Sequence, residues 1–216
     1  LGTDWTIAHR LALSAGRMLS PHALVVPPFP YGLSAHHMGF AGTITIGFES
    51  FRSVCRDVVR SLHAHGVERF VFVNGHRGNE SALSVMMTEL RTELGVDIAS
   101  AFWMTQARDV IEKHRRTKRW GHACEIETSL AMALAPELVH TEALCAGETI
   151  DEYRSFEDNY EPFALSVPLT FAERTRNGAF GDATLASREV GEEIAAVATD
   201  RLVAFARDLL TSHPRP

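Results

Sequence analysis

The sequence is poor in cysteine, tyrosine and tryptophan, with three of each among 216 residues, and it holds no uninterrupted apolar run approaching membrane-spanning length. The cysteines, Cys55, Cys124 and Cys145, form no CxxC pair, which excludes a disulfide framework or a zinc knuckle and fits a reducing, cytoplasmic compartment. Positive charge is also scarce: 21 Lys and Arg against 27 Asp and Glu give a formal charge of −6, and the basic stretch His114-Arg115-Arg116-Thr117-Lys118-Arg119 is short and local. Neither nucleic acid nor a membrane is therefore an expected partner. There is no GxSxG elbow, no GxGxxG after the first expected strand and no P-loop lysine motif, so serine-hydrolase and nucleotide-phosphate chemistry lack a signature. What stands in excess is histidine, with 11 residues.

Hydrophobic patterning alternates between a helical period and short β-branched runs, the pattern of a parallel sheet covered by helices in one α/β domain over residues 1–216. Helices are expected from Thr3 or Asp4 to about Ser20, around Phe51, Val54, Val58 and Leu62 up to Gly66, and from Asn79 to Leu94 with Gly95 as the stop. Two more are expected over 123–134 and 186–210, the last with Val190, Ile194, Val197, Leu202 and Phe205 near one face. Strands are expected at Ala23–Val26, Thr43–Ile46, Phe70–Val73 and Val96–Trp103. The consecutive apolar residues of Phe70–Val73 predict a strand covered on both faces.

Three segments carry chemistry. Asn74-Gly75-His76-Arg77-Gly78-Asn79 follows the buried strand and precedes a helix, where ligand sites of α/β sheets lie. Its glycines allow a sharp turn and close approach of a bound group, while His76 offers an imidazole to a metal or a proton to a substrate. On its own the segment is equally a tight turn with an exposed histidine. Gly121-His122-Ala123-Cys124-Glu125-Ile126-Glu127-Thr128-Ser129 sets a histidine and two carboxylates at the start of an apolar helix, a grouping that a divalent cation and the helix N-terminus would both favour. Glu125 is also explained as an ordinary first-turn acid, whereas Glu127 sits among Cys124, Ile126, Leu130 and Ala131 in a stretch fit for the interior. The loop from Pro30 to Thr43 carries Ser34 and the adjacent His36 and His37, one to line a pocket and one to face water. Cys124 beside His122 is a poor nucleophile, because two nearby carboxylates deplete its thiolate. The acidic residues Glu142, Glu148, Asp151 and Glu152 fit a solvated surface, and Trp103, Trp120 and Phe180 fit either a pocket wall or the core.

In this order, Leu1-Gly2-Thr3-Asp4, the Pro30–Thr43 loop, Asn74–Asn79, His122–Ser129 and Asn177-Gly178-Ala179-Phe180-Gly181-Asp182 resemble the creatininase (creatinine amidohydrolase) family over nearly the whole chain. The resemblance implies a three-layer α/β/α domain with a mainly parallel sheet, assembled as a homo-oligomer, commonly a hexamer. It implies two divalent metals, Zn²⁺ with Mn²⁺ or Fe²⁺, and hydrolysis of a C–N bond, other than a peptide bond, in a small amide, cyclic amide or formamide. Carried over residue by residue, it makes Asp4, His76 and Glu127 metal ligands and His122 the catalytic histidine, with Ser34, His37, Gly75, Gly78 and Glu125 near the substrate. Such a metal pair activates water and polarises the carbonyl while a histidine moves the leaving amine's proton.

The sequence departs from the family pattern at Cys124, His36 and Ala41, where glycine, glutamate and proline are usual, and at Gly78, where creatininase itself has a glutamate ligand. Gly78 thus argues against creatinine as the substrate. The family's Glu-x-His-Gly segment would fall just upstream of Leu1. The expectation is accordingly an enzyme whose N-terminus lies further upstream, with a one-metal or non-catalytic binding subunit as the alternative.

Overall fold

In the computed structural model, residues 2–150 and 168–211 are described, so Asp151 and Glu152 lie outside the described residues. In chain order the regular elements are α1 (Thr3–Met18), α2 (Phe48–His63), β1 (Arg69–Asn74), α3 (Glu80–Leu94), β2 (Asp97–Phe102), α4 (Trp103–Gln106), α5 (Arg108–His114), α6 (Glu125–Leu134), α7 (Phe171–Arg174) and α8 (Arg188–Thr211). None of these helices is long and apolar enough to cross a membrane. The chain forms two compact units from interleaved segments: Gly2–Leu33, Thr45–Gln106 and Val197–Pro216 make one, and Ser34–Ile44 with Ala107–Ala196 make the other.

The first unit is helix on sheet on helix. β1 and β2 pair in parallel from Arg69 opposite Asp97 to Asn74 opposite Phe102, with α3 as the connection that a parallel pair requires. Alternation along the strands divides the core. Phe70, Phe72 and Ile98 pack with Phe51, Cys55 and Val59 of α2 and Leu83, Met86 and Leu90 of α3. Val71, Val73 and Ala101 pack with Ala15 and Leu19 at the end of α1 and Leu202 and Val203 of α8. Both faces of β1 are thus covered, as its run of apolar residues predicts.

Several local expectations need correction. Ala23–Val26 and Thr43–Ile46 are not strands: Leu24 is 77% and Ile44 61% exposed, so neither segment has a sheet face to bury. Pro27 and Pro28 also remove donors directly after the first segment. At the second, a turn bond from Thr43 N–H to Phe40 O at 3.4 Å and one bond from Ile46 N–H to Gly32 O at 3.1 Å stand in place of a ladder. On α2 the inward stripe is Phe51, Cys55 and Val59, while Val54 and Val58 face outward, one position off the expected set. On α8 the buried residues include Ile194, Ala198, Leu202 and Val203, and Phe205 is exposed. Gly95 ends α3 in the left-handed conformation at φ 71°, as expected.

The second unit is built around α6. The Ser129 hydroxyl donates to Glu125 O at 2.5 Å and accepts from Ser187 N–H at 2.9 Å, which ties α6 to the segment entering α8. Lys113 Nζ and His114 Nε2 of α5 reach the two carboxylate oxygens of Glu193 on α8 at 2.9 and 2.8 Å. These pairs are solvent-exposed and contribute little individually.

Candidate active site

The turn after β1 places its histidine by hydrogen bonds on three sides. Asn74 Oδ1 accepts from His76 N–H at 3.1 Å and Asn74 Nδ2 donates to His76 O at 2.9 Å, closing the turn on itself. His76 Nε2 lies 3.2 Å from Leu33 O, and its Nδ1 lies 3.0 Å from Asp4 Oδ2. Asn79 stands at the N-cap position of α3 but makes no side-chain cap bond. Its amide oxygen accepts from Leu33 N–H at 3.0 Å and its Nδ2 donates to Asn74 Oδ1 at 3.3 Å, so it holds in place the residue whose carbonyl meets His76. Asp4 likewise sits in the first turn of α1 with Gly2 at the N-cap position, and its carboxylate turns to His76 rather than to the helix.

This geometry bears on metal binding. A carbonyl oxygen only accepts, so the Leu33 contact assigns the ring proton to Nε2 and leaves Nδ1 of a neutral imidazole with a lone pair aimed at the Asp4 carboxylate. Two acceptors at that separation call for a positive charge on or between them. A divalent cation meets the requirement, and a histidine whose far nitrogen donates to a backbone carbonyl is the usual orienting arrangement for a metal ligand. The residues present therefore fit a metal. Gly75 is needed because a Cβ there would lie 2.0 Å from Asp4 O, so any larger residue would push α1 and its aspartate away from the turn.

In the other unit, the loop Ser34–Ile44 opens with a 3-10 turn, Ala35–His37, in which His37 N–H donates to Ser34 O at 2.9 Å. His37 is buried and His36 half-buried, and the two rings pack together with centroids 4.2 Å apart, so His36 does not simply face water. The His37 ring stacks on Phe171 with centroids 4.2 Å apart and 16° between planes, and it lies 4.2 Å from the His122 ring. His122 itself is 4.6 Å from Phe171. Its backbone is pinned by a two-bond bridge to Phe180, His122 N–H to Phe180 O at 3.3 Å and Phe180 N–H to His122 O at 2.7 Å. His37, His122 and Ala123 border a cavity of about 400 Å³ with Phe40, Leu144 and the Asn177–Ala179 segment.

The two carboxylates beside His122 have different surroundings. Glu125 is 2% exposed; its Oε1 accepts from Arg116 N–H, Thr117 N–H and the Thr117 hydroxyl, and its Oε2 from Asp182 N–H, at 2.7–3.2 Å. Burial pushes this carboxyl up, and the Thr117 and Asp182 donors more than offset it, leaving it below the usual carboxylate range. Glu127 is half-buried, and its Oε2 accepts from Ala123 N–H at 2.5 Å. That bond accompanies a left-handed Ala123 at φ 49°, a conformation that costs about 1 kcal/mol or more for a non-glycine residue. Cys124 is fully buried. Burial first and the Glu127 charge second raise its thiol pKa far above the ordinary value, which removes the nucleophilic-cysteine alternative.

Of the expected site residues, Asp4, Gly75, His76 and Gly78 stand on the sheet unit, Asp4 and His76 in direct contact. Ser34, His37, His122, Glu125 and Glu127 stand on the other, where His37 and His122 meet. Residues that the sequence did not single out are Phe171, which stacks on His37, and Thr117, which holds Glu125. Neither has a motif around it. Trp103 and Trp120 are both 2% exposed or less.

The chain belongs to the creatininase family. The family's sequence profile, described as Creatininase: Creatinine amidohydrolase, matches residues 1–206. A mycofactocin precursor peptide peptidase of Mycobacterium ulcerans is 32% identical over 209 residues, covering 90% of this chain and 74% of the relative. A creatinine amidohydrolase of Pseudomonas putida is 28% identical over 189 residues, covering 80% and 69%. Among solved structures, a putative creatinine amidohydrolase from Bacteroides fragilis superposes with a TM-score of 0.83 at 24% identity, covering 99% of this chain and 84% of that one. A creatininase described by its manganese superposes with a TM-score of 0.78 at 23% identity, covering 98% and 85%. These structural likenesses concern the fold, which is the expected creatininase-like α/β fold. The chain is thus a member of a hydrolase family, and the relatives just named are a peptidase and creatinine amidohydrolases.

Proposed function

We propose that this protein is a metal-dependent amidohydrolase that cleaves a carbon–nitrogen bond of an amide, cyclic amide or formamide, in the cytoplasm and as a homo-oligomer. The observation that carries the reading is the Asp4–His76 pair, a carboxylate and an imidazole nitrogen 3.0 Å apart, with the ring oriented by Leu33. Asp4 and His76 would hold divalent metal, the family resemblance makes Glu127 a metal ligand as well, and the expected ions are Zn²⁺ with Mn²⁺ or Fe²⁺. When bound, such a metal polarises the amide carbonyl and makes water a stronger acid.

The chain's own groups supply the rest. His122 moves a proton to the departing nitrogen from a ring that borders the cavity and is packed against His37 and Phe171. Ser34 and His37 bind substrate beside it and Gly78 leaves the histidine turn open to a bound group, while Gly75, expected near the substrate, admits the backbone of Asp4. Glu125, its oxygens engaged by backbone and Thr117 donors, fixes the loop carrying His122 from behind. The cytoplasmic assignment is supported by three free cysteines, and self-association by exposed apolar residues such as Leu24. One relative is named a peptidase and another a creatinine hydrolase, so the substrate class proposed is the amide C–N bond in general; Gly78 disfavours creatinine.

The test is hydrolysis of creatinine, N-phenylformamide and an N-acetyl dipeptide amide, followed by product chromatography. The protein is stripped by chelator, dialysed, and reloaded with Zn²⁺ or Mn²⁺. Turnover of at least one amide that vanishes on stripping and returns with metal is the expected result. Metal uptake without hydrolysis of any, or equal rates before and after stripping, would overturn the reading.

A further inference from the structure

The cavity beside His122 says more about the substrate than the metal ligands do. Among the described residues its lining includes Phe40, Ala143, Leu144, Ala179 and Ala183 beside the two histidines His37 and His122, and no Lys, Arg, Asp or Glu. Two polar side chains of the wall, Thr43 and Asn177, are engaged by the protein itself. Thr43 Oγ1 donates to His37 O at 3.0 Å. Asn177 Nδ2 donates to Ala146 O at 2.9 Å, and Asn177 Oδ1 accepts from Glu148 N–H, the Thr175 hydroxyl and Ala179 N–H at 3.0–3.2 Å. The guanidinium of Arg174 lies over the rings of Phe180 and Phe171, 4.6 and 5.4 Å from their centroids, and does not line the cavity. A charged substituent in this space would lose part of its hydration and face no carboxylate, lysine or arginine among the described lining residues. An apolar one would gain contact with Phe40 and Leu144. The space, about 400 Å³ and open on one side, has room for a substituent of a small molecule.

We propose that this cavity receives an uncharged, largely apolar substituent of the amide substrate, and that Phe40 and Leu144 set that selectivity. The inference rests on the amidohydrolase reading for the reaction, though the binding preference is measurable without it.

The probes are three primary amides of similar length: 4-methylpentanamide, succinamate and 4-aminobutanamide. Each is titrated into protein carrying ¹³C-labelled leucine methyl groups, with the Leu144 signal assigned by its loss in Leu144→Ala. The expected result is a dissociation constant for 4-methylpentanamide at least ten-fold below those of the charged amides, with shifts of the Leu144 methyls. Leu144→Arg should reverse the order between 4-methylpentanamide and succinamate. Should that variant not fold, Ala143→Trp, at an exposed position of the cavity rim, should weaken 4-methylpentanamide at least ten-fold. Equal or tighter binding of a charged amide to the unaltered protein, or shifts that leave Leu144 unmoved, would overturn the proposal. Ammonia release measured in parallel separates the two readings. Selective binding without ammonia leaves the cavity assignment standing and refutes the amidohydrolase, whereas ammonia release indifferent to substituent charge does the opposite.

Discussion

Asp4 on the first turn of α1 and His76 in the turn after β1 meet through Oδ2 and Nδ1 at 3.0 Å, with the far ring nitrogen committed to Leu33 O. The two groups are thereby placed to share a proton or a divalent cation. Asp4→Asn preserves the size of the side chain and removes its charge. Bound divalent metal per chain, read by elemental analysis after dialysis, should fall sharply, with the circular dichroism spectrum unchanged. Undiminished metal content would show that Asp4 is no ligand.

Gly75 makes that meeting possible, since a Cβ would stand 2.0 Å from Asp4 O and 3.2 Å from the Ala8 Cβ. The obstacle is backbone, which no rotamer change relieves. Gly75→Ala is expected to destabilise the fold by about 3 kcal/mol, at the upper end of ordinary overpacking costs, in urea unfolding. A cost under about 0.5 kcal/mol, the level of a neutral surface change, would show that α1 shifts freely.

How much of this was legible in the sequence follows from the reach of each interaction. β1 and its covering helices were readable because consecutive apolar residues in Phe70–Val73 have one physical explanation, burial on both faces. The segments 23–26 and 43–46 carry the same residue types and failed as strands, because a strand needs a partner and composition names none. The grouping of segments into compact units likewise leaves no local mark. The segments of each unit interleave along the chain, so no linker marks a boundary. The residues of the histidine turn and of the His122 segment were found through motif order. Their supports were not: Phe171 reaches His37, and Thr117 reaches Glu125, by contacts that leave no periodicity.

Glu125 makes the structure acid-sensitive in a defined direction. Its carboxyl is held below the usual range by Thr117 and Asp182 donors despite burial, so its contribution is fully present above the unfolded-state value of about 4.3 and is lost as pH falls through the lower folded value. Glu125→Gln should therefore cost stability at pH 7, and the deficit should shrink below about pH 4. Glu125→Ala, which strands several buried donors, should cost about 3–5 kcal/mol at pH 7 by urea unfolding. A deficit that stays constant between pH 7 and pH 3 would refute the linkage.

The cysteines should differ in reactivity according to burial. Cys145 is exposed, whereas Cys55 and Cys124 are buried, the Cys55 thiol being pushed up to about 11 by desolvation. Iodoacetamide at pH 8 should label one thiol per native chain and all three in urea, as counted by intact mass. Rapid native labelling of Cys124 would reopen a thiol mechanism.

The central claim joins bound metal to a proton-carrying histidine, and His122→Ala separates the two. Its ring borders the cavity while its backbone bridge to Phe180 does not depend on the side chain. Turnover of the amide that the unaltered protein hydrolyses best, and metal per chain, are measured on the same preparation. The account predicts turnover reduced by about 10²-fold or more with metal content retained. Undiminished turnover, or loss of metal in step with activity, would contradict it.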